Sequence, residues 1–157
     1  MKFKELFEKW ELSSLKLNAK FVEAEFIAKP EDQEAAWEMY VELVTRVLTQ
    51  ELKDVDGDEE TALNSVYNLF GITRDILKRK GRKCDSFSKI AVVILNQIVR
   101  PFTAKWHKLK QEHVFEDKEK CIEFREDLRN LQRNMRKYTA LLAQIAEVED
   151  ITELTDY

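Results

Sequence analysis

The sequence predicts an all-helical fold: a four-helix bundle-like domain with a kinked central helix and a small N-terminal β or irregular element. Three observations support this prediction. The 157 residues include only 3 Gly and 2 Pro, the residue types that interrupt helices. Apolar residues recur every three or four positions over four long segments, which is the spacing of one helix face. Charged residues make up 36% and apolar residues 44% of the chain, a balance typical of a folded protein.

The N-terminal residues 1–28 are predicted to form a short helix followed by a strand-like segment. The apolar stripe of the helix consists of Phe3, Leu6, Phe7 and Trp10. Over 14–28, apolar and polar residues alternate and the phase of the alternation changes once, as in a hairpin or a bulged strand. A helix over the same stretch is the alternative. We expect residues 1–157 to form one domain, with 29–157 as the helical bundle.

The first bundle helix is predicted to begin at Pro30, because proline fits the first helical turn and the acidic residues after it complement the helix dipole. Its apolar face is predicted to continue to Leu52. The members of that face are Ala36, Trp37, Tyr40, Val41, Val44, Val47, Leu48 and Leu52. An acidic loop over 53–60 follows. Asp58 is the predicted N-cap of the second helix, which ends at Gly81.

The third helix is predicted to be capped by Asp85 or Ser86 and to continue through Pro101. Apolar spacing persists on both sides of this proline, which indicates a kinked helix rather than a terminated one. Proline cannot donate a hydrogen bond to the carbonyl of Gln97 and crowds it, so the kink is expected there. The stretch 90–99 is apolar nearly all round, which predicts that this helix is central.

The fourth helix is predicted to begin at Asp117, with at most one short turn in the tail after it. Its apolar residues are separated by alternating steps of three and four, as in a coiled-coil seam. This seam consists of Cys121, Phe124, Leu128, Leu131, Met135, Tyr138, Leu142 and Ile145. A seam of this length serves either the bundle or a partner, and it predicts a homo-oligomer or an obligate heteromer. The opposite face is predicted to be solvated and carries Arg125, Arg129, Arg133 and Arg136.

Charge is distributed unevenly along the chain. The net charge is −8 over 1–60, +9 over 61–110 and −5 over 111–157. The positive maximum consists of Lys78, Arg79, Lys80, Arg82 and Lys83. Such a cluster is a candidate contact for nucleic acid or another anion. Pairing with the acidic helices of the same fold is favoured over that interpretation, because the chain is acidic overall.

The sequence offers no recognisable catalytic, metal or cofactor site. The loop at 54–60 lacks the EF-hand spacing, since neither glycine at position 6 nor glutamate at position 12 is present. His107 and His113 are the only histidines. Neither follows a glutamate by three positions, as di-iron bundles require. Two histidines and two cysteines at these separations do not form a zinc motif, and nucleotide-binding glycine motifs are absent.

One group of polar residues around the proline raises the question of a site. The group consists of Asn96, Arg100, Trp106 and His107. Glu42 and Arg46, on the first bundle helix, are the candidate partners. The favoured interpretation is a buried polar layer that holds the bundle together, with Trp106 as a core anchor and Glu42 or Glu38 paired with Arg100. The alternative is a polar pocket beside the proline kink, which would make Arg100 and His107 an active site.

Several stretches resemble a family of small bacterial helical proteins to which no activity is assigned. They are AAWEMYVELVTRVLTQEL (35–52), DEETALNSVYNLFGITRDIL (58–77), ILNQIVRPFTAKWH (94–107) and FREDLRNLQRNMRKYTALLAQIAEVEDI (124–151). The likeness covers most of the chain. It implies a bacterial cytoplasmic protein, with an association with multi-gene defence loci, and it supplies no catalytic residues to carry over.

These features together predict a non-enzymatic protein-interaction or assembly subunit in a bacterial defence or stress complex. Tryptophan is favoured as an interface anchor, and the candidate anchors are Trp10, Trp37 and Trp106. Binding of nucleic acid or a phosphorylated ligand through 78–83 is the first alternative, and an enzyme around Arg100 and His107 is the second. No cofactor and no membrane contact is expected, because the longest apolar run is far too short to span a bilayer. We expect a cytoplasmic location.

Overall fold

The computed structural model describes residues 1–55 and 57–155. Every regular element within them is helical, which confirms the predicted all-helical, bundle-like fold. The helices are α1 (Phe3–Lys9), α2 (Ala19–Val22), α3 (Pro30–Val44), α4 (Glu59–Lys80), α5 (Asp85–Ile94), α6 (Arg100–Gln111) and α7 (Lys118–Ala146). Further 3-10 turns lie at Gly81–Lys83, Val114–Glu116 and Thr152–Thr155. Position 56 of the predicted acidic loop and positions 156 and 157 of the tail lie outside the described residues.

The strand predicted within 14–28 is wrong. Asn18 accepts a hydrogen bond from the backbone N–H of Phe21 at 2.8 Å and so caps the single turn of α2. The only extended pairing found in the described chain is one isolated antiparallel bridge between Lys2 and Glu25. A strand needs a paired neighbour along its length, and the α1 side of this bridge turns into helix at Phe3, so no ladder can form.

The first bundle helix, α3, ends at Val44 rather than continuing to Leu52 as predicted. Residues 45–53 follow α3, and we call them the connector. Side chains of the connector donate hydrogen bonds to the carbonyl groups that a longer helix would have bonded to its own backbone N–H groups. Thr49 donates to the carbonyl of Leu43 at 2.7 Å, and Gln50 donates to that of Val44 at 3.1 Å. This connector is itself buried at Leu48 and Thr49, so the apolar residues after Val44 pack in the core without being helical.

Side chains of α7 hold the same connector from the other side. Gln132 donates to the carbonyl of Val47 at 2.6 Å, and Arg136 donates to that of Thr49 at 2.9 Å. Arg125 donates to the carbonyl of Lys53 and pairs with Glu59 at 3.0 Å, a contact in which both side chains are mostly buried. The predicted solvated arginine face is therefore wrong for Arg125 and Arg136, because buried connector carbonyls need donors.

The proline lies in an uninterrupted helical run, as predicted, and the irregularity takes the form of a π-helical turn. This π turn spans Leu95–Val99 between α5 and α6, and the N–H of Arg100 donates to the carbonyl of Leu95 five residues earlier. Pro101 has no N–H to contribute to the preceding turn. Wide turns of this kind are frequent at functional sites. The run is amphipathic rather than apolar all round, since Val92 and the amide side chains at 96 and 97 are exposed.

The core centres on α3 and α7, which share the most extensive contact between helices. Seven of the eight predicted seam residues are buried, and Cys121 is half-buried. They pack inside this chain against α3 and its neighbours. The seam is therefore occupied by the bundle and is not a free surface on which another chain can dock.

A buried carboxylate that the sequence did not single out joins the starts of two helices. Asp32 is fully buried. It accepts the backbone N–H of Lys29 at 3.0 Å at the start of α3, and that of Phe87 at 2.8 Å in the first turn of α5. The predicted caps of α5 act elsewhere, because Asp85 pairs with Lys89 and Ser86 donates to the carbonyl of Ile27.

Candidate functional site

The polar residues before the proline do not form a buried layer. Asn96 and Arg100 are exposed, and the guanidinium donates to the Asn96 amide oxygen through Nε at 3.1 Å and Nη2 at 3.0 Å. The Arg100 guanidinium also lies 4.8 Å from the centroid of the Phe70 ring on α4. The predicted pairing with Glu42 or Glu38 is wrong, since both carboxylates are bound by other cations of the chain.

We expect Arg100→Ala to lower the free energy of unfolding by about 0.5–1 kcal/mol, the range of an exposed cation–π contact. Urea denaturation of the wild type and the variant measures this difference. Asn96→Ala is the matched control, because it removes the amide contact and leaves the guanidinium over Phe70. A loss of about 3 kcal/mol or more, as for a broken buried ion pair, would show that Arg100 is part of a buried layer after all.

Trp106 is a core residue, as the layer interpretation predicted, and it is not available as an interface anchor. Its side chain is fully buried, and its indole Nε1 donates to Asp127 on α7 at 3.0 Å. His107 lies at the edge of the core, with its ring 4.8 Å from that of Tyr67 in an edge-on contact. Burial lowers the pKa of His107 from its ordinary value, and the charge of Lys110 lowers it further.

Arg100 and His107 form no catalytic arrangement with the residues that the structure describes. Among the described residues, neither ring nitrogen of His107 makes a hydrogen bond, so the ring has no orienting carboxylate and no hydroxyl or thiol to activate. A general base needs such a neighbour within hydrogen-bond reach. The two residues lie on the α4 side of the proline run, in contact with different aromatic rings.

The basic cluster at 78–83 is partly neutralised by the acidic face of α3. Arg79 pairs with Glu38 at 2.5 Å, and Lys80 pairs with Glu34 at 2.9 Å. Hydrogen bonding to Arg79 lowers the pKa of the Glu38 carboxyl, and hydrogen bonding to Glu34 and Glu38 raises the pKa of Lys80. The favoured prediction that the cluster pairs with acidic helices of the same fold is confirmed for these residues. Lys83 lies 3.9 Å from Glu31, while Lys78 and Arg82 have no ion pair within the described chain.

The two candidate partners that the sequence placed on the first bundle helix, Glu42 near the end of α3 and Arg46 just after it, form a salt bridge with each other at 2.8 Å. It lies at the edge of an open groove of about 450 Å³ between α3 and α4. Trp37 lines this groove with 47% of its surface exposed, next to Val41 with 40% exposed. The Trp37 ring stacks on Tyr40 with centroids 6.0 Å apart. We call this surface the Trp37 groove.

The lining of the Trp37 groove includes a glycine, Gly71, for which the described residues show neither a positive φ nor a close contact that would exclude a side chain. Gly71 lies in the middle of α4, where a glycine costs about 1 kcal/mol relative to alanine. Its backbone is ordinary helix, and a Cβ built on it would meet nothing within 4 Å. The missing side chain therefore leaves open space in the groove that Trp37 also lines. We call this space the notch, and an apolar group of another molecule placed there would lie close to the helix backbone.

No protein-family model, no curated protein and no solved structure matches the chain. Over the described residues, His, Cys, Asp and Glu side chains form no group that could hold a metal ion. None of the described helices combines the length and the apolar character needed to cross a membrane.

Proposed function

We propose that this protein is a non-enzymatic protein-interaction or assembly subunit that binds its partner through the Trp37 groove. The observation that carries the proposal is the exposed Trp37 beside the empty notch at Gly71. Tryptophan is among the residues that dominate binding energy at interfaces. An exposed tryptophan stacked on a core residue is held in one orientation, so little side-chain entropy is lost when a partner covers it.

The partner we propose is a protein surface that presents an apolar side chain to the notch. The charged residues along the groove are already paired within the chain: Glu38 and Asp75 with Arg79, and Glu42 with Arg46. A strongly charged ligand would have to break these pairs, whereas an apolar side chain would not. Either a second copy of the chain or a different protein fits this description.

The resemblance of the sequence to a bacterial family suggests the setting of this role. We propose a cytoplasmic protein that assembles in a bacterial defence or stress complex. The alternatives have less support. Nucleic-acid binding through 78–83 would compete with the salt bridges to α3, and an enzyme around Arg100 and His107 would lack a nucleophile and base in contact.

We expect Trp37→Ala to weaken partner binding by about thirtyfold or more, since hot-spot tryptophans contribute at least about 2 kcal/mol. The wild type and the variant serve as bait in cells that naturally produce the chain, and the affinity of the recovered partner is then measured with purified proteins. Sedimentation of the purified chain at tens of micromolar tests the case in which the partner is a second copy.

Tyr67→Ala is the matched control, because Tyr67 is equally exposed on α4 but contacts His107 outside the groove. It should leave binding unchanged. Recovery of the same partner at the same affinity by Trp37→Ala would contradict the proposal. So would a wild-type chain that sediments as a monomer and recovers no specific partner.

A further inference from the structure

A second concave surface, separate from the Trp37 groove, lies where the N-terminal segment crosses the π turn. This cleft of about 410 Å³ is bounded by residues 14–15, by the π turn with Pro101, and by the middle of α7. Leu15, Phe102 and Leu131 give it an apolar floor, and the last two are buried. Its size and its mixture of apolar floor and polar walls are those of ligand sites.

On one wall of the cleft, the Gln97 side chain already holds a non-helical piece of the chain's own backbone. Gln97, in the π turn, accepts the backbone N–H of Lys16 at 2.7 Å and donates to the carbonyl of the same residue at 2.6 Å. The side chain thus pairs with both main-chain groups of one residue, as a neighbouring strand would. The segment it holds lies between α1 and α2 and is not helical there. Leu15, next to the paired residue, contributes to the floor.

The opposite wall carries two more carboxamides one helical turn apart on α7. Asn130 accepts a hydrogen bond from Arg133. Asn134 lines the cleft half-buried and makes no hydrogen bond with any described residue. A carboxamide offers two donors and an acceptor with two lone pairs in one plane. A group of this kind beside an apolar floor gains most from a ligand that presents a donor and an acceptor together.

The charges of the cleft indicate that the ligand is uncharged where it binds. Lys105 pairs with Asp127 at 2.7 Å and with Glu123 at 3.1 Å. Asp127 also accepts the indole N–H of Trp106. The positive charge of Lys105 and the negative charge of Asp127 are therefore paired inside the protein. Neither an anionic nor a cationic ligand would meet an unpaired charge of opposite sign among these residues. A peptide main chain is neutral, and it presents N–H and C=O groups at regular spacing.

We propose that this cleft binds an extended segment of another protein, with the Asn134 amide pairing its main chain and an apolar side chain resting on the floor beside Leu15. The ligand is recognised in the way that Gln97 recognises residue 16, through backbone hydrogen bonds, while the floor selects an apolar side chain. The cleft and the Trp37 groove share no lining residue, so this proposal does not depend on the proposed function.

The test uses a phage-displayed library of random linear peptides selected against the full-length wild-type chain. Enriched sequences are synthesised, and their affinities are measured by fluorescence polarisation. We expect an enriched peptide to bind Asn134→Leu about tenfold more weakly than the wild type, the effect of losing one or two hydrogen bonds. Asn134→Asp keeps the shape of the side chain, removes both amide donors and should weaken binding as well.

Asn68→Leu is the matched control, since it makes the same substitution at an exposed position of α4 and should change the affinity less than twofold. Thermal melts verify that all variants fold. Failure to enrich any peptide overturns the proposal, and so does equal affinity for the wild type and Asn134→Leu. A peptide that is lost with Trp37→Ala but not with Asn134→Leu overturns it while supporting the proposed function.

Discussion

Trp106→Ala is expected to lower the free energy of unfolding by about 4 kcal/mol, the largest effect of any substitution considered for this protein. The Trp106 ring is fully buried and lies 5.1 Å from Phe124 and 6.0 Å from Phe115, measured between ring centroids. Removing it opens a cavity between α6 and α7 that rigid neighbours cannot fill. The lost indole N–H contributes less, because Asp127 keeps its ion pair with Lys105.

Urea denaturation followed by far-UV circular dichroism measures this loss. Trp37→Ala is the matched control: the same substitution at an exposed tryptophan should cost less than about 1 kcal/mol. Trp106→Phe should give an intermediate value, since it keeps most of the ring volume. Equal losses for the two tryptophan-to-alanine variants would contradict the assignment of one ring to the core and the other to the surface.

Asp32→Ala is expected to cost about 3 kcal/mol. Its carboxylate accepts backbone N–H groups at the starts of both α3 and α5. Loss of a cap costs about 1 kcal/mol at each helix, and leaving buried N–H groups without an acceptor adds to this. Asp32→Asn should recover part of the stability, because its amide oxygen can still accept one of the two hydrogen bonds.

The control for this prediction is Asp85→Ala at the first residue of α5, one of the two positions that the sequence predicts as the cap. Asp85 is exposed and pairs with Lys89, so its removal should cost less than about 0.5 kcal/mol. Thermal and urea unfolding of the three variants separate the possibilities. A larger loss for Asp85→Ala than for Asp32→Ala would mean that α5 is capped locally.

The helices whose limits are set by neighbouring residues could be predicted from the sequence. Asp58 accepts the N–H groups of Glu60 and Thr61 at the start of α4, and Gly81 ends that helix with a positive φ. Asp117 caps α7 by accepting the N–H of Glu119. Each of these helix limits depends on residues within three positions of it in the sequence. It can therefore be predicted without knowing how the helices pack.

The features that the sequence did not predict depend on residues far apart in the chain. The end of α3 is set by Thr49 and Gln50 together with Gln132 on α7. The cap of α5 comes from a residue more than fifty positions earlier. Periodicity assigned Trp37 and Val41 to the apolar face of α3, and only the choice of Trp37 as a candidate interface anchor anticipated that the bundle would leave its ring exposed. The apolar face of α3 is wider than the neighbouring helices can cover. The width that they cover is known only from the packed structure.

The central claim is that the coiled-coil-like seam of α7 belongs to the core and that the Trp37 groove is the surface left for a partner. Hydroxyl-radical footprinting with mass spectrometry measures it directly, by comparing the oxidation of Met135 and Tyr138 in the seam and of Trp37 in the groove between the purified chain and assemblies isolated from the producing cells. We expect the buried Met135 and Tyr138 to be unreactive in both samples, and Trp37 to be oxidised in the free chain and protected in the assembly. Equal oxidation of Trp37 in the two samples would contradict the account.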